Sequence, residues 1–353
     1  MSRIEPREQI VAMSGYHSPQ VDVPVRLNTN ESPFAPPAAW VDSLAAIAAS
    51  LDWNRYPDRS AAALRAEIAS RHGLDPAQVF VGNGSNEVLQ MVLLAFGGAG
   101  RTVAMFEPTY QMYAQIARVT GAAVVTGERR ADFTLDPAEI ERVMSRDKPA
   151  VTFLCNPNNP TGVVEPRANL EVLLEKAPGL VVVDEAYAEF ADWTAAPMVR
   201  DDLPLVVTRT FSKTLSLAAL RVGYVLAPRR VIEALEVAAL PYHLDAFKQA
   251  ATLAALAHTD EMTARVAEIK AQRARISAGL AAAGCEVWPS GANFVLFRPR
   301  SGGAAATWQG LLDRGILVRD CSGWPRLAGC LRVTVGTDAE NSAFLRAMEE
   351  LSA

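Results

Sequence analysis

Residues 208 to 224 read TRTFSKTLSLAALRVGY, and the lysine in that stretch has unusual company. A solvated surface carries charges every few residues. Here Lys213 stands among Thr210, Ser212 and Thr214, with Arg221 eight positions on and no carboxylate in the segment. Partial burial among cations lowers an amine's pKa and frees its lone pair, so the pattern suits a nucleophile. Other segments carry further reactive groups. NPNNPTG, from Asn156, offers the amide of Asn159, and VVVDEAY, from Val181, places Asp184 three residues before Tyr187. VGNGSNEVLQ, from Val81, contains Gly82 and Gly84, with Ser85, Asn86 and Glu87 opening a helix whose free N–H groups favour an anion such as phosphate.

These groups need elements to hold them. Apolar runs recur as VFVG at 79, TVAMF at 102, AVTFLC at 150, LVVVDEAY at 180 and LVVTRTF at 205, each followed by a polar loop and then helical periodicity. Runs this apolar predict strands covered on both faces, hence an α/β fold with a mostly parallel sheet between helices. In such sheets ligands bind beyond the carboxyl ends of the strands. The reactive groups fall at those ends: NPNNPTG after the run at 150, Asp184 at the end of the run at 180, and TFSK after the run at 205. Residues 1–30 read as an irregular arm, 31–245 as the large domain, with an alanine-rich helix near 38–50, and 246–353 as a smaller α+β domain. That last unit begins with a helical stretch from about 246 to 283, followed by the strands ANFVLFRP, GILVRD and CLRVTVG.

Composition narrows the function classes. With 353 residues, 50% of them hydrophobic, the chain exceeds the roughly 250–300 residues at which single cores stop growing. Its 34 Lys+Arg against 39 Asp+Glu give a net charge of −5, spread along the chain, unlike the basic footprint of a nucleic-acid binder. No apolar run approaches the ~18 residues of a spanning helix, and the N-terminus has no continuous apolar core, so a soluble cytoplasmic protein is expected. Cys155, Cys285, Cys321 and Cys330 stand singly and are expected to be buried thiols; His17, His72, His243 and His258 lack metal-ligand spacing, and no metal is expected.

One ligand calls for all of these groups together. Pyridoxal phosphate takes a lysine for a Schiff base, a carboxylate against its ring nitrogen, and donors around a dianionic phosphate. Asp184 would keep the ring nitrogen protonated. Tyr187 and Asn159 could bond the phenolic oxygen, while Thr210, Ser212 and Arg221 would hold the phosphate beside the helix start at Gly84. Taken singly each group is ordinary: a lysine is usually a surface charge, GNGSNE lacks the third glycine of a dinucleotide fingerprint, and NPNNPTG alone is a stiff turn open to a cis proline. Their order and shared place at strand ends carry the reading.

The motifs LNTNESPF, NRYPD, GNGSNE, PTYQMY, NPNNPTG, VVVDEAY, RTFSK, LRVGY and CLRVTVGT occur in that order. Together they resemble the histidinol-phosphate aminotransferase family of fold type I pyridoxal phosphate enzymes, from about residue 14 to 345. The resemblance implies that Lys213 is the Schiff-base lysine and proton shuttle, Asp184 the ring-nitrogen partner, and Tyr110 the residue stacked on the ring. It implies a homodimer in which Tyr56 of NRYPD reaches the phosphate in the neighbouring subunit's site. Arg332 and Arg319 match basic contacts to substrate, and Tyr16 of SGYHSP matches more loosely a tyrosine near the substrate phosphate. Three positions depart from the pattern: Asn86 stands where many relatives have aspartate, and Ser216 and Ala219 where glycines are common. CSGWPRLAG, between Arg319 and Arg332, matches least well.

The expected reaction is transamination of histidinol phosphate with 2-oxoglutarate in histidine biosynthesis. Rival readings are a threonine-phosphate decarboxylase, an aromatic amino acid aminotransferase, and a non-enzymatic interaction protein on the same scaffold. A serine hydrolase of the S-x-x-K type fails because Thr210 stands three before Lys213, and a P-loop fails because Ser212 precedes it.

Overall fold

The computed structural model describes residues 4–11, 13–15 and 19–352. Its strands are β1 Val25–Leu27, β2 Val79–Gly82, β3 Thr102–Glu107, β4 Ala123–Glu128, β5 Val151–Cys155, β6 Leu180–Asp184, β7 Leu205–Thr210, β8 Gly223–Leu226, β9 Glu286–Val287, β10 Phe294–Arg298, β11 Ile316–Asp320 and β12 Leu331–Thr334. They form a seven-stranded sheet in the order β2-β8-β7-β6-β5-β3-β4 and a five-stranded sheet in the order β1-β11-β12-β10-β9. In the larger sheet β8 runs against β2 and β7, and the other pairs are parallel.

The predicted burial on both faces is visible along β6. Val181 and Val183 join one apolar cluster, Leu180 and Val182 another, because successive side chains of a strand point to opposite faces. All five apolar runs of this region are strands. The sequence pattern does not mark β4 or β8: β4 is an edge strand whose side chains are mostly part-exposed, and β8 starts at the last two residues of the LRVGY motif and runs two residues past it.

The stretch expected to be helical from 246 to 283 is two helices, Ala246–Leu256 and Thr259–Ala282, with the break at Ala257 and His258. The first packs on the larger sheet's core through Ala251, Ala255 and Leu256, and Trp40 Nε1 donates to Ala251 O at 2.8 Å. The second passes between cores: Met262 belongs to the first, whereas Val266 and Ile269 pack with Phe294 and Phe297 of the smaller sheet. The arm is less irregular than expected, since it holds the short helix Glu8–Val11 and β1, which extends the smaller sheet by pairing parallel to β11. The alanine-rich helix spans Ala38–Ala49, and all four cysteines are buried and unpaired.

The loop after β5 is tightly fixed. The Asn156–Pro157 and Asn159–Pro160 bonds are both cis. Asn156 Oδ1 accepts from Glu165 N at 2.8 Å, and Asn158 Nδ2 donates to Pro108 O at 3.0 Å and Thr161 Oγ1 at 2.8 Å. Glu165 in turn pairs with Arg129 at 3.0 Å, with both side chains 1% exposed. The carboxylate also accepts from Leu135 N and Asn169 Nδ2, and the guanidinium donates to the carbonyls of Phe106 and Phe133. Truncating one partner strands the other charge in the interior. Glu165→Ala should therefore lose about 3–5 kcal/mol of stability, measured as a lowered urea midpoint at unchanged slope, and Arg129→Met with Glu165→Leu should lose far less.

Candidate active site

A cavity of about 550 Å³ opens where the carboxyl ends of β5, β6 and β7 meet the smaller sheet. Asp184 closes β6, Asn159 follows β5, Thr210 ends β7 and Lys213 lies just beyond it, and all four line this one cavity with Arg332 of β12. The amine and carboxylate singled out in the sequence thus share a single site.

Lys213 Nζ donates to Thr29 O at 3.1 Å and lies 6.0 Å from the centroid of the Tyr187 ring. Its pKa is lowered to about 8, first by burial, then by the charges of Arg332 and Arg221. Glu31, absent from the lysine's own segment but present in the cavity wall, pulls the other way and is outweighed. Asp184 is buried. Its Oδ2 accepts from Tyr113 Oη at 2.7 Å and its Oδ1 from Ala186 N at 3.2 Å. Burial raises its pKa, and these two donors oppose that rise.

Tyr187 and Asn159 stand ready to donate. Tyr187 Oη already accepts from Asn30 Nδ2 at 2.9 Å, so its own proton is available to a ligand oxygen. Asn159 Oδ1 accepts from Arg332 Nη1 at 2.6 Å, which leaves the amide nitrogen as its donor. Tyr110 also lines the cavity, its Oη donating to Asn86 Oδ1 at 3.1 Å.

At the other end, β8 begins between the ends of β2 and β7, with Gly223 opposite both Gly82 and Thr210. A Cβ on Gly223 would meet Ser85 N at 2.5 Å, so glycine there lets the strand abut the start of the helix Gly84–Phe96. Gly84 has φ +79°, and a Cβ on it would sit 2.6 Å from Arg221 Nη2. Arg221 Nη1 donates to Ser212 Oγ at 3.3 Å, and Thr210 Oγ1 to Ser212 Oγ at 3.0 Å. Helix start, two hydroxyls and a guanidinium therefore converge as a cradle for a phosphate. The departures from glycine leave it intact. Ser216 adopts φ +57° itself, its Oγ bonded to Ser32 Oγ at 2.8 Å, and Ala219 lies outside the left-handed region.

Arg332 and Arg319 face each other across β12 and β11, at 5% and 8% exposure. Like charges directly opposite destabilise a sheet, and an anionic ligand at the two guanidinium groups would relieve that repulsion. Arg332 lies 5.0 Å from the Phe294 ring centroid, donates to Asn28 O at 3.0 Å, and keeps a buried Nε without a partner among the described residues. Arg319 lies 5.5 Å from the ring of Trp324, which also lines the cavity. Tyr56 is elsewhere: it is 80% exposed and stacks on Tyr242 at 4.5 Å, apart from this chain's cavity. Tyr16 lies outside the described residues. Sequence reasoning gives no role to Thr29, Asn30, Tyr113 or Trp324. The first two belong to the quoted LNTNESPF segment and Tyr113 to PTYQMY, but only the fold shows what each touches.

The cavity fits pyridoxal phosphate: an anion cradle that a Cβ at Gly84 would fill lies at one end, and a nucleophilic amine and a buried carboxylate share the same walls. Because Lys213 loses its proton near pH 8, capture of the cofactor's aldehyde by the cofactor-free chain should quicken roughly tenfold per pH unit below that point and level off above it. Stopped-flow absorbance will report the profile; a rate still climbing at about pH 10 would mark an ordinary lysine.

Residues 22–348 match the family described as aminotransferase class I and II. Histidinol-phosphate aminotransferase of Frankia casuarinae is 47% identical over 97% of this chain and 89% of its own length, and that of Nocardia farcinica 47% identical over 96% and 89%. Among solved structures, histidinol-phosphate aminotransferase from Sinorhizobium meliloti in complex with pyridoxal-5'-phosphate superposes with a TM-score of 0.87 at 27% identity, over 100% of this chain and 98% of that one. With the cavity and its arginine pair, these likenesses show that the chain belongs to the class I and II aminotransferases and resembles throughout its length the histidinol-phosphate aminotransferases among them.

Proposed function

We propose that the protein transfers the amino group of histidinol phosphate to 2-oxoglutarate, giving imidazole-acetol phosphate and glutamate, with pyridoxal phosphate as cofactor. The observation that carries this reading is the pair Arg332 and Arg319 facing each other beside Lys213, since both substrates bear an anionic group that a planar guanidinium grips by paired bonds. Relatives named for this reaction are 42–47% identical over nearly the whole chain. A likeness to L-threonine-O-3-phosphate decarboxylase from Porphyromonas gingivalis, at 24% identity, shows shared fold alone.

When bound, the cofactor supplies an aldehyde to take up the amino group and a ring that accepts an electron pair. This chain's residues do the rest. Thr210, Ser212, Arg221 and the helix start at Gly84, with Ser85 and Asn86, would hold its phosphate; Asp184 would hold the ring nitrogen in its charged form; Asn159 and Tyr187 would donate to the phenolic oxygen, and Tyr110 would stack on the ring. Lys213 Nζ, neutral above about pH 8, takes the proton from the substrate carbon and returns one on the other side of the transfer. Arg332 and Arg319 fix the anionic end of each substrate, so that the carbon to be deprotonated meets the amine.

The reading includes a homodimer with shared sites. Trp53, Tyr56, Val237, Leu240 and Tyr242 are large apolar side chains left exposed on the single chain, and burying them against a second copy would bring Tyr56 to the neighbour's phosphate. It also includes a cytoplasmic setting, to which four unpaired thiols are suited, and a large unit joined to a small one near residue 245, which the two separate sheets support.

Purified protein given histidinol phosphate and 2-oxoglutarate should form glutamate, and Arg332→Ala should lower kcat/KM by about 100-fold. Absence of transfer with the cofactor bound would reject the substrate assignment, and carbon dioxide released from threonine phosphate would support the decarboxylase instead. Shared sites predict that Lys213→Ala and Tyr56→Ala, each nearly inactive alone, regain activity when unfolded and refolded together, because the mixed dimer holds one site free of both changes. No recovery on mixing would reject the shared site.

A further inference from the structure

We propose that Tyr113 is a positioning residue for the cofactor's ring nitrogen, its phenol holding the Asp184 carboxylate ionised and aimed into the cavity. The proposal rests on the cofactor reading above and adds to it a residue outside the cavity wall. Tyr113 belongs to the helix Met112–Val119, is fully buried, stacks on Phe153 at 4.5 Å and 5°, and meets Tyr110 edge-on at 5.4 Å. Its Oη donates to Asp184 Oδ2 at 2.7 Å, a well-formed bond to the carboxylate.

The electrostatics make that proton consequential. Burial drives Asp184 toward its neutral form, and a neutral carboxyl cannot favour a charged ring nitrogen. Glu185, next in sequence, pushes the same way, although Arg209 and Thr194 hold its own charge. On the other side stand Tyr113, first in size, then the backbone N–H of Ala186 and the Thr208 hydroxyl. Cys155 on β5 and Tyr187 also face Asp184, but burial pushes the thiol up to about 12 and the phenol higher, so neither titrates near neutrality. Lys213, which loses its proton near pH 8, is the other titrating wall of the cavity, and Arg332 is a fixed charge there. The Tyr113 phenol is itself held neutral, so it remains the donor throughout this range.

The alternative is a core tyrosine whose hydroxyl is merely satisfied. Tyr113→Phe separates the two, for it keeps the stacking on Phe153 and removes only the proton. Without that donor Asp184 becomes easier to protonate, and the neutral fraction grows as pH falls. Cofactor-free Tyr113→Phe, titrated with pyridoxal phosphate and read by absorbance from pH 6 to 9, should bind about tenfold more weakly than the unaltered chain at neutral pH, with the deficit widening toward pH 6. In an Asp184→Asn background the same change should make little difference. Parallel pH profiles, or an equal loss in the Asp184→Asn background, would overturn the proposal. Should Tyr113→Phe not fold, the infrared carboxyl band assigned by its loss in Asp184→Asn settles the point: ionised in the cofactor-free chain at pH 7 supports the proposal, and protonated overturns it. If the unaltered chain binds no cofactor, the parent reading fails; if it binds and Tyr113→Phe matches it, only this inference does.

Discussion

An amine and a carboxylate share one poorly solvated cavity in this protein and form no ion pair with each other. Pairing would be the cheapest relief for both, because each is pushed toward neutrality by burial. The fold prevents it by giving each its own partners. Asp184 is held from behind by the Tyr113 phenol and the N–H of Ala186, and Lys213 reaches across to the carbonyl of Thr29. Both line the same cavity of about 550 Å³. A site arranged this way stores the unfavourable burial of two unlike charges until a ligand with complementary ends arrives.

The two sheets divide that task. The larger sheet is parallel where it matters, so β5, β6 and β7 end along one edge and deliver Asn159, Asp184 and Thr210 side by side. β8 reverses direction, and its first residue, Gly223, closes on the helix start at Gly84 beside Arg221, where an anion would fit. The smaller sheet supplies the opposite wall with Arg332 and Arg319, and β1 brings the segment containing Thr29 and Asn30 down from the arm. Arg332 also bonds Asn159 and Asn28, so the smaller sheet, the loop after β5 and the arm are tied by one guanidinium. That residue also helps to depress the pKa of Lys213.

Much of this is legible in the sequence because burial on both faces leaves continuous apolar runs, and the reactive residues follow those runs directly. β4 escapes because an edge strand need not be apolar on both faces. β8 escapes because four residues, two of them in a motif and two beyond it, carry too little pattern to separate strand from loop. The helix break at 257–258 is hidden among alanines that suit either state. Tyr113 and Asn30 can be quoted within motifs yet given no role, since a hydrogen-bond partner 71 or 157 residues away is set by topology and not by local pattern. Tyr56 differs again: in the single chain it faces solvent, and its place in a site comes only from resemblance.

The segment that resembles the family least, residues 321–329, shows how sequence can vary without moving a site. Its ends are locked by the backbone bond from Cys321 N to Cys330 O, and turns close it through Trp324 N to Cys321 O and Leu327 N to Trp324 O. Cys321, Leu327 and Cys330 pack with Phe133, Trp288 and Leu296, which seats the underside of the loop in an apolar cluster. Arg326 adds donors to the carbonyls of Arg129 and Arg130, joining the loop to the same buried ion pair that braces the turn after β5. Trp324 is thereby held at the cavity with Arg319 against its ring. A loop anchored at its ends and underside thus presents one aromatic face inward, against which the Arg319 guanidinium rests.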